Sequence, residues 1–195
     1  MTKAALQDLN ILIVGVGGQG TILASRILAQ VAQDAGYDVK VSEIHGMSQR
    51  GGSVTTQVRC SQRVAAPIIT PGTVDVALAF ERLEALRALP WLKEGGTIII
   101  NQQELMPMPV ITGAAAYPAD ITEKIQAAAG EAIFLDAVGL AQKAGNVKAV
   151  NLVLLGKLAS KLPIADAVWQ KAIADIVPAK VLEINQKAFA FGKDA

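Results

Sequence analysis

The sequence predicts a three-layer α/β/α domain with a mainly parallel sheet and a helical C-terminal tail. Three observations predict it. Short apolar runs alternate with stretches of helical spacing over the first two thirds of the chain. Those runs are continuous rather than alternating, as strands covered on both faces require. From about residue 138 onward the pattern turns helical, with prolines at the element starts. Strands alternating with helices imply helices on both faces of the sheet.

The elements follow in order. Asn10 to Val14 (NILIV) reads as a buried strand, and the glycine-rich GVGGQG follows it. From Thr21 to Ala35, Ile22, Ile27, Leu28 and Val31 can share a helix face, and Gly36 is placed to end that helix. Val39 to Ile44 reads as a second strand and His45 to Ser53 as a polar loop. Val54 to Cys60 reads as a third strand. Pro67, Pro71 and Gly72 mark an irregular connection, and Val74 to Phe80 is a core strand. A helix from Glu81 to Leu92 is expected to break near Pro90. Glu94 to Gly96 reads as a turn and Thr97 to Asn101 as another strand. Gln102 to Pro109 reads as a loop. Asp120 is a candidate N-cap for a helix to Ala129, and Ala132 to Leu135 a short strand. Three tail helices are expected, at Ala149 to Lys161, Ile164 to Ile176 and Ala179 to Phe191. One domain over residues 1–195 is expected, its tail packed on the sheet or on a partner.

Composition narrows the function. Apolar residues make up 52% and charged residues only 18%, below the usual quarter or so. A monomer needs polar residues to cover its surface, so this balance points to apolar surface kept for a partner. Net charge is +1, with no basic stripe interleaved with aromatics, so nucleic acid is not an expected ligand. Cys60 is the single cysteine and His45 the single histidine, which removes an internal disulfide, an iron–sulfur cluster and a histidine-rich metal site. The first ten residues are polar, and no apolar run approaches the roughly 18 residues of a membrane span. The cytoplasm is the expected compartment.

Two loops carry the candidate chemistry. Gly15, Gly17 and Gly20 satisfy G-x-G-x-x-G after an apolar strand and before a helix, the Rossmann-like context in which backbone N–H groups and a helix N-terminus receive phosphate. Gly18 and Gln19 complete the turn. The same glycines could instead serve only close strand–helix packing. In a dinucleotide fold an acidic residue ends the second strand and binds a ribose hydroxyl, and Glu43 stands near that place. The second strand should then lead to a crossover helix. Here it runs into HGMSQRGGS and another strand, which counts against an ordinary nicotinamide enzyme. In that second loop, Arg50, Gly51, Gly52 and Ser53 form an anion-binding candidate, with Gln49 adding an amide. His45 could act as acid or base near neutral pH, or be a hydrogen-bonded loop residue. Arg50 could instead pair with Glu43 or Glu81.

GVGGQGTILASRILA, SEIHGMSQRGGSV, VDVALAFERLEAL and LKEGGTIIIN, in that order, resemble the gamma-type subunits of 2-oxoacid:ferredoxin oxidoreductases. The HGMSQRGG wording points to the indolepyruvate branch. The resemblance is strong from Asn10 to Asn101 and thinner in the tail. It implies a complex that decarboxylates an aryl 2-oxoacid with thiamine diphosphate, passes electrons through iron–sulfur clusters to ferredoxin and transfers the acyl group to coenzyme A. By that resemblance, cofactors sit on a large partner subunit and this chain is an accessory subunit. Its glycine turn and second loop would lie at the partner's active site or contact coenzyme A phosphates. On its apolar composition, the chain expressed alone is expected to self-associate or be poorly soluble. The alternative reading is a free-standing nucleotide or dinucleotide binder.

Overall fold

The apolar run after Asp8 becomes the central strand of a six-stranded sheet. The computed structural model describes residues 8–46 and 51–195. In it β1 is Leu9–Val16, and Ile11 to Val14 are all buried. The chain turns through its glycines into α1 (Thr21–Asp34), which buries Ala24, Ile27, Leu28 and Val31. Gly36, at φ 96°, ends α1 as expected. Its N–H donates to the Gln33 carbonyl, and that of Tyr37 to the Ala32 carbonyl, the paired bonds of a Schellman motif.

β2 (Asp38–His45) lies at one edge of the sheet, and β3 (Ser53–Ser61) returns antiparallel to it and to β1. Then come β4 (Val74–Ala79), α2 (Arg82–Ala88), a short 3-10 turn at Leu89–Trp91 and β5 (Leu92–Asn101). After these are α3 (Met108–Ile111), α4 (Ile121–Ala128) and β6 (Glu131–Leu135). The strand order is β2-β3-β1-β4-β5-β6, and only β3 runs against the rest. The absent crossover helix after β2 is thus explained: β3 is inserted between β1 and β2.

The tail comprises α5 (Ala137–Ala144), a 3-10 turn at Val147–Ala149, α6 (Val150–Ala159), α7 (Asp166–Ile176) and α8 (Ala179–Asp194). These pack with α1 over one sheet face, in a core that includes Ile11, Ile13, Val58, Leu78, Leu152, Trp169 and Phe189. The opposite face, with Leu12, Val14, Ala77 and Ile98, is covered by α2 and α4. The tail therefore packs on the sheet.

Several local expectations are corrected. Ser53 and His45 belong to strands rather than to the loop between them. α2 stops at Ala88, and β5 begins at Leu92 because a register shift against β4 absorbs Glu94 to Gly96. Pro107 to Ile111 coils into α3. Asp120 makes no side-chain cap and pairs with Lys124 at 3.0 Å instead. A fourth tail helix, α5, precedes the three expected, and Asp136 caps it by accepting the Gly139 N–H at 2.8 Å.

Candidate functional site

The parallel strands point their carboxyl ends toward the glycine turn, where ligands collect in open α/β sheets. Gly20 is the N-cap of α1 at φ 85° and Gly18 stands at φ 101°, both in the left-handed region that favours glycine. Among the described residues no side chain caps α1, so the first-turn N–H groups at Thr21 and Ile22 can serve a ligand. Gly20 also admits a close approach: a Cβ there would sit 3.0 Å from Asn151 Nδ2, on α6. Asn151 donates to the Gly20 carbonyl at 3.4 Å, tying the tail to the turn.

Two sequence-predicted residues have other work. Gln19 folds back over the turn. Its Oε1 accepts the Val16 N–H at 2.7 Å, and its Nε2 donates to the Phe80 carbonyl and to Gln103 Oε1, each at 3.2 Å. Asn101 Nδ2 reaches the same Phe80 carbonyl at 3.0 Å. Side-chain amides thus bridge the ends of β1, β4 and β5, where a dinucleotide fold opens a crevice. Ser53 donates its hydroxyl to Glu84 Oε2 at 2.6 Å. Gln19 and Ser53 are structural in this arrangement.

The two glycine segments come together. The β1–β3 register pairs Val16 with Ser53, and the ladder continues past the strands. The Gly17 N–H donates to the Gly52 carbonyl at 2.9 Å, and the Gly51 N–H to the Gly17 carbonyl at 3.4 Å. Gln49 and Arg50 lie outside the described residues.

On the α1 side of this rim is a cavity of about 400 Å³, lined by Gly17, Gly18, Gly20, Thr21, Ile22, Glu43, His45 and Val54. The register explains the company: His45 pairs with Val54 and Val54 with Gly15, while Glu43 lies two residues before His45 on the same face. Both side chains are exposed, and His45 Nδ1 lies 3.0 Å from the Gly46 carbonyl. Sequence reasoning missed Thr21, Ile22 and Val54 as cavity walls, although the first helical turn after the glycines was a readable signal. Volume and lining suit part of a nucleotide: N–H donors for phosphate, Ile22 and Val54 for a base, Glu43 for a polar edge.

Gly51 and Ser53 line a separate cavity of about 200 Å³, with Glu81, Leu83, Glu84, Arg87, Leu105 and Met106. Glu81 is almost fully buried and caps α2 by accepting the N–H groups of Leu83 and Glu84. Burial, and then the neighbouring Glu84 charge, raise its carboxyl above the ordinary value. Burial also pushes the Cys60 thiol up to about 12, so it is an inert core residue.

Comparison with known proteins defines the class. The model of the pyruvate ferredoxin/flavodoxin oxidoreductase family matches residues 10–195, and the chain belongs to that family. It is a small subunit of the 2-oxoacid:ferredoxin oxidoreductase class. Indolepyruvate oxidoreductase subunit IorB of Thermococcus kodakarensis is 40% identical over 195 residues, covering 97% of this chain and 96% of that protein. The common gamma subunit of pyruvate/ketoisovalerate oxidoreductases from the same organism is 28% identical over 179 residues, covering 89% of each. The fold matches the keto/oxoacid ferredoxin oxidoreductase gamma subunit of Geobacter sulfurreducens, with TM-score 0.71, 24% identity, and coverage of 95% of this chain and 96% of that one.

Proposed function

We propose that this chain is the accessory subunit of a complex that oxidises indolepyruvate or a related aryl pyruvate, and that its glycine rim holds coenzyme A phosphates. The balanced reaction takes one 2-oxoacid, one coenzyme A and two oxidised ferredoxins to acyl-coenzyme A, carbon dioxide, a proton and two reduced ferredoxins. The observation that carries the reading is the rim itself: two glycine segments joined by backbone hydrogen bonds beside a helix N-terminus that no described side chain caps and a 400 Å³ cavity. The preference for an aryl substrate rests on the 40% identity to IorB subunits, against 28% to the pyruvate/ketoisovalerate gamma subunit.

Thiamine diphosphate supplies the decarboxylation chemistry and iron–sulfur clusters the electron path, both on a large partner subunit in this reading. One buried cysteine in this chain cannot hold a cluster. His45 and Glu43 are assigned to the ligand with the glycines, and Gln49 and Arg50 are added to them on their chemistry in the sequence alone. No helix among the described residues is long and apolar enough to cross a membrane, and the cytoplasm is the compartment we assign. A free-standing nucleotide binder is the weaker reading, because subunits of complexes match nearly the whole chain.

The test is reconstitution with the large subunit and assay with indolepyruvate, phenylpyruvate, pyruvate and 2-oxoglutarate, reading ferredoxin reduction and acyl-coenzyme A formation. The expected result is the highest kcat/KM with indolepyruvate and none from either chain alone. Equal use of pyruvate would remove the aryl assignment. Turnover by this chain alone would remove the accessory role.

A further inference from the structure

We propose that Glu84 is a positioning residue, fastening the base of the second loop to α2 through the Ser53 hydroxyl. The inference rests on reading the glycine rim as a coenzyme A site. Glu84 belongs to neither glycine segment, and it is only 3% exposed. A buried carboxylate is costly unless its oxygens are engaged, and each oxygen here has a donor. Arg87 Nη1, three residues along the helix, donates to Oε1 at 2.5 Å. Ser53 Oγ donates to Oε2 at 2.6 Å, across a sequence separation of 31 residues. An O–H to carboxylate bond of that length is charge-assisted and strong.

The Ser53 hydroxyl is therefore committed, and to offer it to a ligand would leave a buried carboxylate oxygen without its donor. Ser53 stands where the second loop meets β3. Just before it, Gly51 and Gly52 are bound by backbone to Gly17 of the glycine turn. The end of the loop is thus held at two points: its backbone to the turn and its last side chain to α2. The same helical turn also carries the segment after β5. The Arg82 N–H donates to the Gln103 carbonyl at 3.0 Å, and Leu105 lines the cavity beside Glu81 and Glu84. That segment leads into Met106 and α3. One turn of α2 therefore sets both the ligand-facing loop and the exposed apolar segment beside it.

The experiment compares reconstituted complexes carrying Ser53→Ala, Glu84→Gln, the double substitution and Ser53→Thr. Gly18→Val serves as a reference for the rim. Each is read for the KM of coenzyme A, for kcat and for the urea midpoint. Ser53→Ala and Glu84→Gln should each raise the KM roughly three- to tenfold with kcat within about twofold, the scale of one lost hydrogen bond. The double variant should be no worse than the worse single, because both remove one bond. Ser53→Thr keeps the hydroxyl and should stay near wild type. Fully additive effects, or urea midpoints that fall while the KM stays put, would overturn the positioning role. A wild-type KM in both singles with a raised KM in Gly18→Val would overturn it and leave the rim reading standing. A wild-type KM in Gly18→Val as well would remove the rim reading and this inference with it.

Discussion

Glu43 is the one residue of the rim whose charge sign separates the two ligand readings. It is exposed and lines the cavity beside Gly18 and Thr21. A ribose diol would donate hydrogen bonds to its carboxylate, and Glu43→Gln would then weaken binding. Coenzyme A, if it binds as proposed, would instead carry several negative charges into a cavity holding this one. Two like charges about 5 Å apart in water repel by roughly 0.8 kcal/mol. Glu43→Gln should therefore lower the KM for coenzyme A about two- to fourfold, more at low salt than at high salt. A raised KM would mean that the Glu43 carboxylate accepts a hydrogen bond from coenzyme A, and would remove the repulsion argued here. The glycines, Glu43 and His45 could be picked out in the sequence as candidates because strand register and turn chemistry have fixed spacings, and they line one cavity. The internal partners of Gln19 and Ser53 were not legible, for the opposite reason. An amide or hydroxyl in a loop looks free until the fold shows the Val16 N–H and the Phe80 carbonyl around one, and the Glu84 carboxylate at the other.

At the scale of elements, the buried strands and the longer tail helices were read from continuous apolar runs and from helical spacing. α5 was not, because Ala137–Ala144 is short and carries Gly139 in its first turn, so propensity hid what the Asp136 cap provides. Nor was the contact of α6 with α8 legible. Gly156 faces the α8 backbone at Phe189, and Gly192 faces the α6 backbone at Val153, so an added Cβ at either would fall far inside contact distance. Alanine normally stabilises a helix by up to about 1 kcal/mol over glycine. Here overpacking, at about 1–3 kcal/mol, should win. Gly156→Ala and Gly192→Ala should each lower the urea midpoint, with the double variant less than additive because both splay one contact. A gain in stability from either would mean the helices are not in close contact. α2 yields a pH prediction. The raised carboxyl of Glu81 means that the folded chain holds this proton more tightly than the unfolded chain, whose ordinary value is 4.5. Its contribution to stability is therefore complete below that value and is lost as pH rises through the folded one. Glu81→Gln removes the titration. Its urea midpoint should climb relative to wild type between about pH 4 and pH 7, even if it starts lower for want of one acceptor. A constant gap across that range would show that burial does not shift this group.

The whole molecule keeps apolar surface that its own layers do not cover. Met106 is 47% exposed, and Met108 and Ile111 are each 65% exposed, all on α3 or the segment entering it. The low charged fraction points to such a surface, and the methionines alternating with prolines from Met106 to Pro109 mark its place in the sequence, which the exposure of Met106 and Met108 matches. We assign it to the large partner subunit. Methionine adapts to irregular surfaces, and Pro107 and Pro109 restrict the segment beforehand, so little entropy is lost on docking. Interfaces of permanent complexes commonly bury about 2,000 Å² or more and are more apolar than transient ones. Fully burying a methionine or isoleucine contributes about 1.5–3 kcal/mol. Replacing Met108 and Ile111 together by glutamate removes that contribution and places two unpaired charges in the contact. Both side chains are mostly exposed and belong to neither core cluster, so the isolated double variant should keep the wild-type thermal midpoint. It should self-associate less than wild type when expressed alone. Co-expressed with the large subunit, it should fail to co-elute on size exclusion at micromolar concentration, where the wild-type chain elutes as a complex. Co-elution unchanged by both glutamates would put the partner on another face of this subunit. A chain that stays monomeric alone and never co-elutes with a thiamine-dependent subunit would remove the accessory role itself.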